Sequence, residues 1–283
     1  LPPLHSYTWL NEHRYPDIWK SPKIVTLNKL KAGTPRCDQT RPISLLATHP
    51  KLFEKVMLER LIYWAETNRL VPAEQSGFRS GRLLQTRVFS IYQEVKNNMA
   101  ANIPTLAVYV DYQKAYDKVW HKGLVVKLNR MRIPVGLLKL IILWFNDRRA
   151  YVIFGENKSK IFYTHIGLLQ GSSLGPYLFI VYHSDLVTCL GAFSSHIFAD
   201  DLNVHISPPI CRGFQPMIKF LEEEGTKICN IIAYYSKKWK QPVNFSKAVV
   251  QVFHSQVQNP VVDIHMEGIK LEVVKEFKYL GFT

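Results

Sequence analysis

Apolar residues recur at three- and four-residue spacing through Leu52, Phe53, Val56, Leu58, Leu61, Ile62 and Trp64, which predicts a helix opening at Pro50. Further helices are expected at about 84–97, 121–131, 134–147, 175–186 and 214–238. Short β-rich runs predict strands at 23–27, 43–46, 105–110, 248–253, 261–265 and 269–274. Two hairpins are expected. In one, 150–154 and 160–165 flank Gly155-Glu156-Asn157-Lys158; in the other, 196–198 and 202–206 flank Ala199-Asp200-Asp201. Strands and helices interleaved around one sheet give an α+β domain, and the order from 105 to 253 fits a split βαβ, ferredoxin-like antiparallel sheet with helices on one face. No internal repeat or low-complexity tract is present, so a solenoid is excluded.

Composition narrows the partner. With 47% hydrophobic and 20% charged residues the chain is built to bury a core. Its 36 Lys and Arg against 22 Asp and Glu leave a net charge of +14, which points to a phosphate backbone or an anionic membrane. The most apolar stretch, Val135 to Phe145, is interrupted by Lys139 and is too short to span a bilayer, so nucleic acid is the expected partner and a membrane is not. Cys37, Cys189, Cys211 and Cys229 form no C-x-x-C pair, which argues against a zinc knuckle or a disulfide framework and fits an intracellular compartment. The start at Leu1-Pro2 lacks the pattern of a signal peptide, and the absence of an initiator Met fits a piece of a longer chain.

Three carboxylates carry the chemistry. Asp111 ends the strand at 105–110, and Asp200-Asp201 occupy the tip of the second hairpin. If strand and hairpin are neighbours, the carboxylates meet, and such a cluster is costly unless a cation neutralises it. Hard oxygen ligands suit Mg²⁺, and two such ions serve in-line phosphoryl displacement. Taken alone, Ala199-Asp200-Asp201 also reads as a polar turn and Asp111 as a helix cap.

The surrounding motifs decide between these readings. Arg41-Pro42-Ile43-Ser44-Leu45-Leu46, Gln75-Ser76-Gly77-Phe78-Arg79, Val110-Asp111-Tyr112-Gln113-Lys114-Ala115-Tyr116-Asp117, Leu169-Gln170-Gly171-Ser172-Ser173-Leu174-Gly175-Pro176, Phe198-Ala199-Asp200-Asp201, then Trp239, Asn244 and Lys247, and finally Tyr279-Leu280-Gly281 occur in that order. In this order the chain resembles the reverse transcriptase domain of non-LTR (LINE-type, jockey-like) retrotransposons.

The resemblance implies roles. Asp111, Asp200 and Asp201 bind two Mg²⁺ ions (Mn²⁺ as an alternative), with Tyr112 adding a backbone carbonyl. Tyr116 crowds the sugar 2′ position, a specificity built by exclusion. Gln170 and Gly171 line the nucleotide pocket, where Lys29 or Lys31 and Arg41 meet the triphosphate. Lys247 acts as general acid toward pyrophosphate, supported by Asn244. Gly77, Phe78 and Arg79, with Tyr279, Leu280 and Gly281, contact primer and template. The implied reaction is RNA-directed DNA polymerisation on an RNA template with a DNA primer and dNTPs, and target-primed copying implies the nucleus. Residues 1–104 and about 121–165 correspond to fingers and N-terminal region, 105–283 to the palm through a primer-grip-like hairpin, with the thumb missing. Two departures stand out: Leu168-Leu169 where the family has Val-Pro, and Tyr182-His183-Ser184-Asp185-Leu186 where it has Tyr-x-Asn-Asp-Leu.

Other readings remain. One is a weak or inactive RNA-binding relic of the same fold, and another is a nucleotidyl cyclase, which needs neither Tyr116 nor Gln170-Gly171. The cluster of Lys237, Lys238 and Lys240 around Trp239 either tracks a phosphate backbone or complements a helix C-terminus. Oligomeric state is not legible in the sequence.

Overall fold

The computed structural model describes residues 12, 14–30, 33, 35–36, 39–210 and 213–282. Lys31, Cys37 and Cys211 lie outside the described residues. The elements are, in chain order, β1 (Lys23–Asn28), β2 (Thr40–Leu45), α1 (Thr48–Thr67), α2 (Leu84–Ala100), β3 (Thr105–Val110), α3 (His121–Arg130), α4 (Val135–Phe145), β4 (Arg149–Phe154), β5 (Asn157–Lys158) and β6 (Phe162–Tyr163). Then follow α5 (Gly175–Tyr182), α6 (Leu186–Leu190), β7 (Ser194–Phe198), β8 (Asp201–Ile206), α7 (Phe214–Lys238), β9 (Val249–Phe253), β10 (His265–Met266), β11 (Ile269–Lys270) and β12 (Glu272–Val273). No helix among the described residues is long and apolar enough to cross a membrane.

The chain divides into two compact units. The first comprises Leu1–Leu70 and Tyr116–Tyr182. Its strands run in the order β2-β1-β4-β5, with β6 also paired to β4. β1 pairs antiparallel with β2 and parallel with β4. Helix α1 buries Phe53, Met57, Leu61 and Trp64, the three-and-four spacing that its sequence shows. Leu124 and Leu128 of α3, Leu140 and Ile141 of α4, and Leu178 and Phe179 of α5 are buried in the same unit.

Charged side chains lie within this core too, among them Glu54, Lys127 and Arg148. Glu54 is fully buried and accepts hydrogen bonds from Trp144 Nε1 (2.8 Å), Ser172 Oγ (2.6 Å) and the Ser173 amide (2.9 Å). Ser172 Oγ in turn accepts from the amides of Leu174 (3.1 Å) and Gly175 (3.0 Å), which covers the N-terminus of α5. A buried carboxylate without donors is strongly unfavourable, so this network ties α1 to the 170–175 loop.

The second unit comprises Val71–Ala115 and His183–Thr283. Its sheet has the order β12-β9-β3-β8-β7. Central β3 is buried at all six positions and pairs antiparallel with β8 and β9, while β8 and β7 form the expected hairpin. This is the expected α+β class with an antiparallel central sheet. The sequence pattern places helices on one face, whereas both faces of this sheet are covered. Leu106 faces α7, and Thr105 and Tyr109 face α2. The cause is visible in β3 itself, Thr-Leu-Ala-Val-Tyr-Val, which alternates between two apolar sides and leaves no solvent face.

Other elements also differ from expectation. Residues 261–264 form no strand, although Val262 and Ile264 are buried, and 269–274 splits into β11 and β12 with different partners. The helix expected over 175–186 breaks at Tyr182, and a short α6 follows.

Candidate functional site

The β3–β8 register brings the candidate carboxylates together. Val110 pairs with Leu202 and Phe198 with Asp201, so Asp111, one residue past β3, comes beside the hairpin tip. The Asp111 carbonyl accepts the Asn244 amide at 2.8 Å. One Asp111 carboxylate oxygen accepts from Asn244 Nδ2 at 3.2 Å and pairs with Lys247 Nζ at 3.0 Å. Tyr112 forms a bridge with Val243, which fixes this loop against the strand end.

The electrostatics show the strain of gathering acids. Asp200 is raised above the ordinary carboxylate value by burial and by the nearby Asp111 charge, against its own backbone hydrogen bond and Lys247. Asp201 is pushed up to about 6 by burial, Asp200 and Asp111, with Lys247 opposing. The donor set is all oxygen, partly desolvated and mutually repelling, which fits a hard divalent cation. Asp111, Asp200, Asp201, Lys247 and Asn244 thus all belong to the second unit.

Arg41, Tyr116, Gln170 and Gly171 belong to the first. Arg41 is exposed on β2, and Lys29 is exposed just past β1. The Tyr116 ring stacks on Phe179 at 5.5 Å between centroids. Gln170 Nε2 donates to Asp117 at 3.0 Å, and its carbonyl accepts the Ser44 amide at 2.6 Å. At Gly171 φ is +111°, and a Cβ would come within 2.5 Å of the Ser44 carbonyl oxygen. Glycine is therefore required here by the approach of β2 as well as by the turn.

The remaining candidates support the hairpin. Any Cβ on Gly77 would fall 2.3 Å from the Ala199 amide nitrogen. Phe78 is half-exposed with φ +56°. Arg79 Nη1 donates to the carbonyls of Pro72 (2.7 Å) and Gln75 (3.2 Å), so it braces its own loop. Tyr279 Oη donates to the carbonyls of His196 (3.2 Å) and Asp201 (3.4 Å). Leu280 and Gly281 make the tight turn that pairs Tyr279 with Phe282, both with positive φ.

Sequence reasoning gave no role to a partly buried cluster between α2 and the sheet. Glu94, His196 and His205 bring one ligand atom each within 4.8 Å of one another, the geometry of a cation site. Glu94 accepts from Ser194 Oγ at 2.8 Å, and His196 Nε2 lies 3.2 Å and His205 Nδ1 3.3 Å from its carboxylate. The other ring nitrogen of His196, however, faces Arg87 Nη1 at 3.3 Å. An Arg donor there leaves the proton on Nε2, pointing at Glu94, whereas a metal-bound His presents its second nitrogen to an acceptor. The cluster is a hydrogen-bond network. Its residues are scattered over three elements, and only their alternation on the strands marks them as facing one side.

Residues 28–283 match the family model described as "Reverse transcriptase (RNA-dependent DNA polymerase)". A probable RNA-directed DNA polymerase from transposon BS of Drosophila melanogaster is 29% identical over 282 residues, 95% of this chain and 30% of that protein. The RNA-directed DNA polymerase from the mobile element jockey of the same organism is 30% identical over 277 residues, 95% of this chain and 29% of the relative. Among solved structures, an apo telomerase from Candida tropicalis truncated from its C-terminal domain aligns with a TM-score of 0.60 at 12% identity, covering 96% of this chain and 58% of that one. A Candida albicans telomerase in complex with a fragment of telomeric RNA aligns at 0.54 and 12%, covering 94% and 48%. The structural likeness establishes a polymerase fold of the fingers-and-palm type. The chain belongs to the reverse transcriptase family, and its curated relatives are polymerases of non-LTR retrotransposons of the jockey kind. It spans about 30% of the length of those relatives. Membership of this family carries dependence on divalent metal as a general property.

Proposed function

We propose that this chain is the polymerising part of an RNA-directed DNA polymerase of a non-LTR retrotransposon, adding dNTPs to a DNA primer 3′-OH on an RNA template. The observation that carries the reading is the convergence of Asp111, Asp200 and Asp201 at one end of the β3–β8 pair, within a chain of this family. These three carboxylates, with the Tyr112 carbonyl, are the groups that would hold two Mg²⁺ ions. When bound, the ions activate the primer hydroxyl and neutralise charge on the leaving pyrophosphate.

The protein residues have complementary tasks in this proposal. Lys247, paired with Asp111, carries a proton at Nζ that is available to the departing pyrophosphate. Tyr116, held by Phe179, supplies a flat ring that excludes a 2′-hydroxyl. Arg41 offers a planar fork to phosphate, and Gln170 and Gly171 shape the nucleotide contact.

The test is primer extension on an RNA template with Mg²⁺ and dNTPs, comparing wild type with Asp200→Ala. Extension by the wild type is expected, with a fall of at least ~10³-fold in the variant, since an essential metal ligand is lost. Salt-sensitive RNA binding without extension by the wild type would leave the alternative, an RNA-binding relic.

A further inference from the structure

The tip of the hairpin that carries Asp200 and Asp201 adopts a conformation that its own sequence disfavours. Ala199 has φ +57°, the left-handed region, in a turn where glycine or asparagine would be at ease. A non-glycine residue stays there only when its surroundings hold it.

The holder is a single side chain from a distant part of the sequence. Gln75 is 2% exposed, and its amide meets both backbone polar groups of Ala199. Gln75 Oε1 accepts the Ala199 N–H at 2.9 Å, and Gln75 Nε2 donates to the Ala199 carbonyl at 3.2 Å. The same oxygen accepts the Gly77 amide at 2.8 Å, which fixes the side chain in its own loop. The main chain runs alongside: the Ser76 amide donates to the Ile197 carbonyl at 2.9 Å and the Ile197 amide to the Glu74 carbonyl at 3.0 Å. Gly77 leaves the space for this approach, since a Cβ would overlap the Ala199 nitrogen.

We infer that Gln75 is a positioning residue of the catalytic hairpin: its amide holds Ala199 left-handed and so sets the directions of the Asp200 and Asp201 carboxylates. A side-chain amide donates and accepts in one plane from two atoms on the same carbon, which matches the N–H and C=O of one residue. A Glu at this position would keep the acceptor, face the Ala199 carbonyl with a second oxygen and add a charge to an acidic site. Any apolar residue leaves the Ala199 N–H and C=O, and the Gly77 N–H, without these partners. That Gln75 matters for polymerisation rests on the function proposed above; that it fixes the hairpin conformation does not.

Two measurements on the protein as encoded separate these points. The first is amide hydrogen exchange at Ala199, Asp200 and Asp201 without metal or nucleotide, in wild type, Gln75→Leu and Gln75→Glu. Exchange at these three amides is expected to quicken by ~10-fold or more in both variants while the β3 amides and the β8 amides from Leu202 to Ile206 keep their protection. The second is primer extension across a Mg²⁺ titration. Gln75→Leu should lower kcat by ~10-fold or more and raise the Mg²⁺ concentration for half-maximal rate. Adding Ala199→Gly, which removes the cost of the left-handed conformation, should recover part of the kcat that Gln75→Leu loses. A residue acting only on global stability would lower the folded fraction, leave the Mg²⁺ midpoint unchanged and gain nothing from glycine at 199. Unchanged exchange at 199–201 in both variants overturns the inference. A wild type that fails to extend primers removes the polymerase reading instead, and the exchange result still decides whether Gln75 holds the hairpin.

Discussion

At the scale of single residues, Asp200 and Asp201 gather negative charge at the partly buried hairpin tip at a cost to the fold, as the proposed metal site would require. Burial and the neighbouring acids raise both above the ordinary carboxylate value, and Lys247 opposes the shift. Removing one of these charges without changing its volume should therefore stabilise the apo protein. Asp200→Asn is expected to raise the thermal midpoint in chelator by about 1–3 °C, as relief of like-charge repulsion does in a domain of this size. It should also abolish most of the rise that millimolar Mg²⁺ gives the wild type, because the ligand set is broken. A lower midpoint in chelator, or an undiminished response to Mg²⁺, counts against the metal site. The sequence displays these acids openly, since hairpin and strand patterns flank them. It does not display the task of Gln75 in the same way: the residue opens the Gln75–Arg79 motif, but its part becomes visible only when the chain around 74–78 is seen lying beside β7.

Between elements, α2 is joined to the central sheet through Glu94, His196 and His205, and this joint should respond to acid. His196 is lowered below the usual histidine value, first by burial and then by the charges of His205 and Arg87, against the hydrogen bond and charge of Glu94. Burial would raise Glu94, but it is lowered, because hydrogen bonds from His196 and Ser194 and the adjacent His205 ring outweigh that burial. Both folded values are depressed, so both contributions are present above the unfolded values and are lost as pH falls. The unfolded values are 6.5 for His and 4.5 for Glu, so stability should decline from about pH 6.5 downward and more steeply below about 4.5. Glu94→Gln keeps the shape, weakens the joint at pH 7 by ~1–3 kcal/mol, and flattens the limb below about 4.5. Urea unfolding at pH 7, 5.5 and 4 measures all three effects, and a wild type equally stable throughout would refute the assignment. Element boundaries were well marked where period and turn chemistry agreed, as in α1, β3 and the β7–β8 hairpin. They were poorly marked over 261–274, where buried Val262 and Ile264 alternate as in a strand but the backbone pairs elsewhere.

For the molecule as a whole, charge is divided very unevenly between the two units. The unit comprising Leu1–Leu70 and Tyr116–Tyr182 has 21 Lys and Arg against 9 Asp and Glu, a net +12. The other has 15 against 13, a net +2, although it holds the carboxylates of the candidate metal site. Composition alone gives the total of +14 and hence the expectation of nucleic acid, but the division becomes visible only once the chain is known to fold from interleaved segments. The first unit should then supply most of the salt-dependent affinity for RNA. Its β4–β5 hairpin is a suitable surface: Lys158 and Lys160 are exposed, Lys158 Nζ lies 4.1 Å from the Tyr151 ring centroid, and Phe154 and Tyr163 are 71% and 55% exposed. Exposed cations interleaved with aromatic faces suit the backbone and bases of a single strand. Lys158→Ala with Lys160→Ala is expected to reduce the slope of log K against log salt for single-stranded RNA by ~0.7 for each phosphate left without its lysine. The matched pair Lys219→Ala with Lys227→Ala, on α7 where both lysines already face Glu223 and Glu224, should leave the slope unchanged. Fluorescence anisotropy between about 50 and 200 mM salt, a range in which phosphate neutralisation dominates, reads both. An equal fall in slope from the two pairs would assign the binding to net charge alone, whereas a fall confined to the α7 pair would move the RNA surface to the second unit.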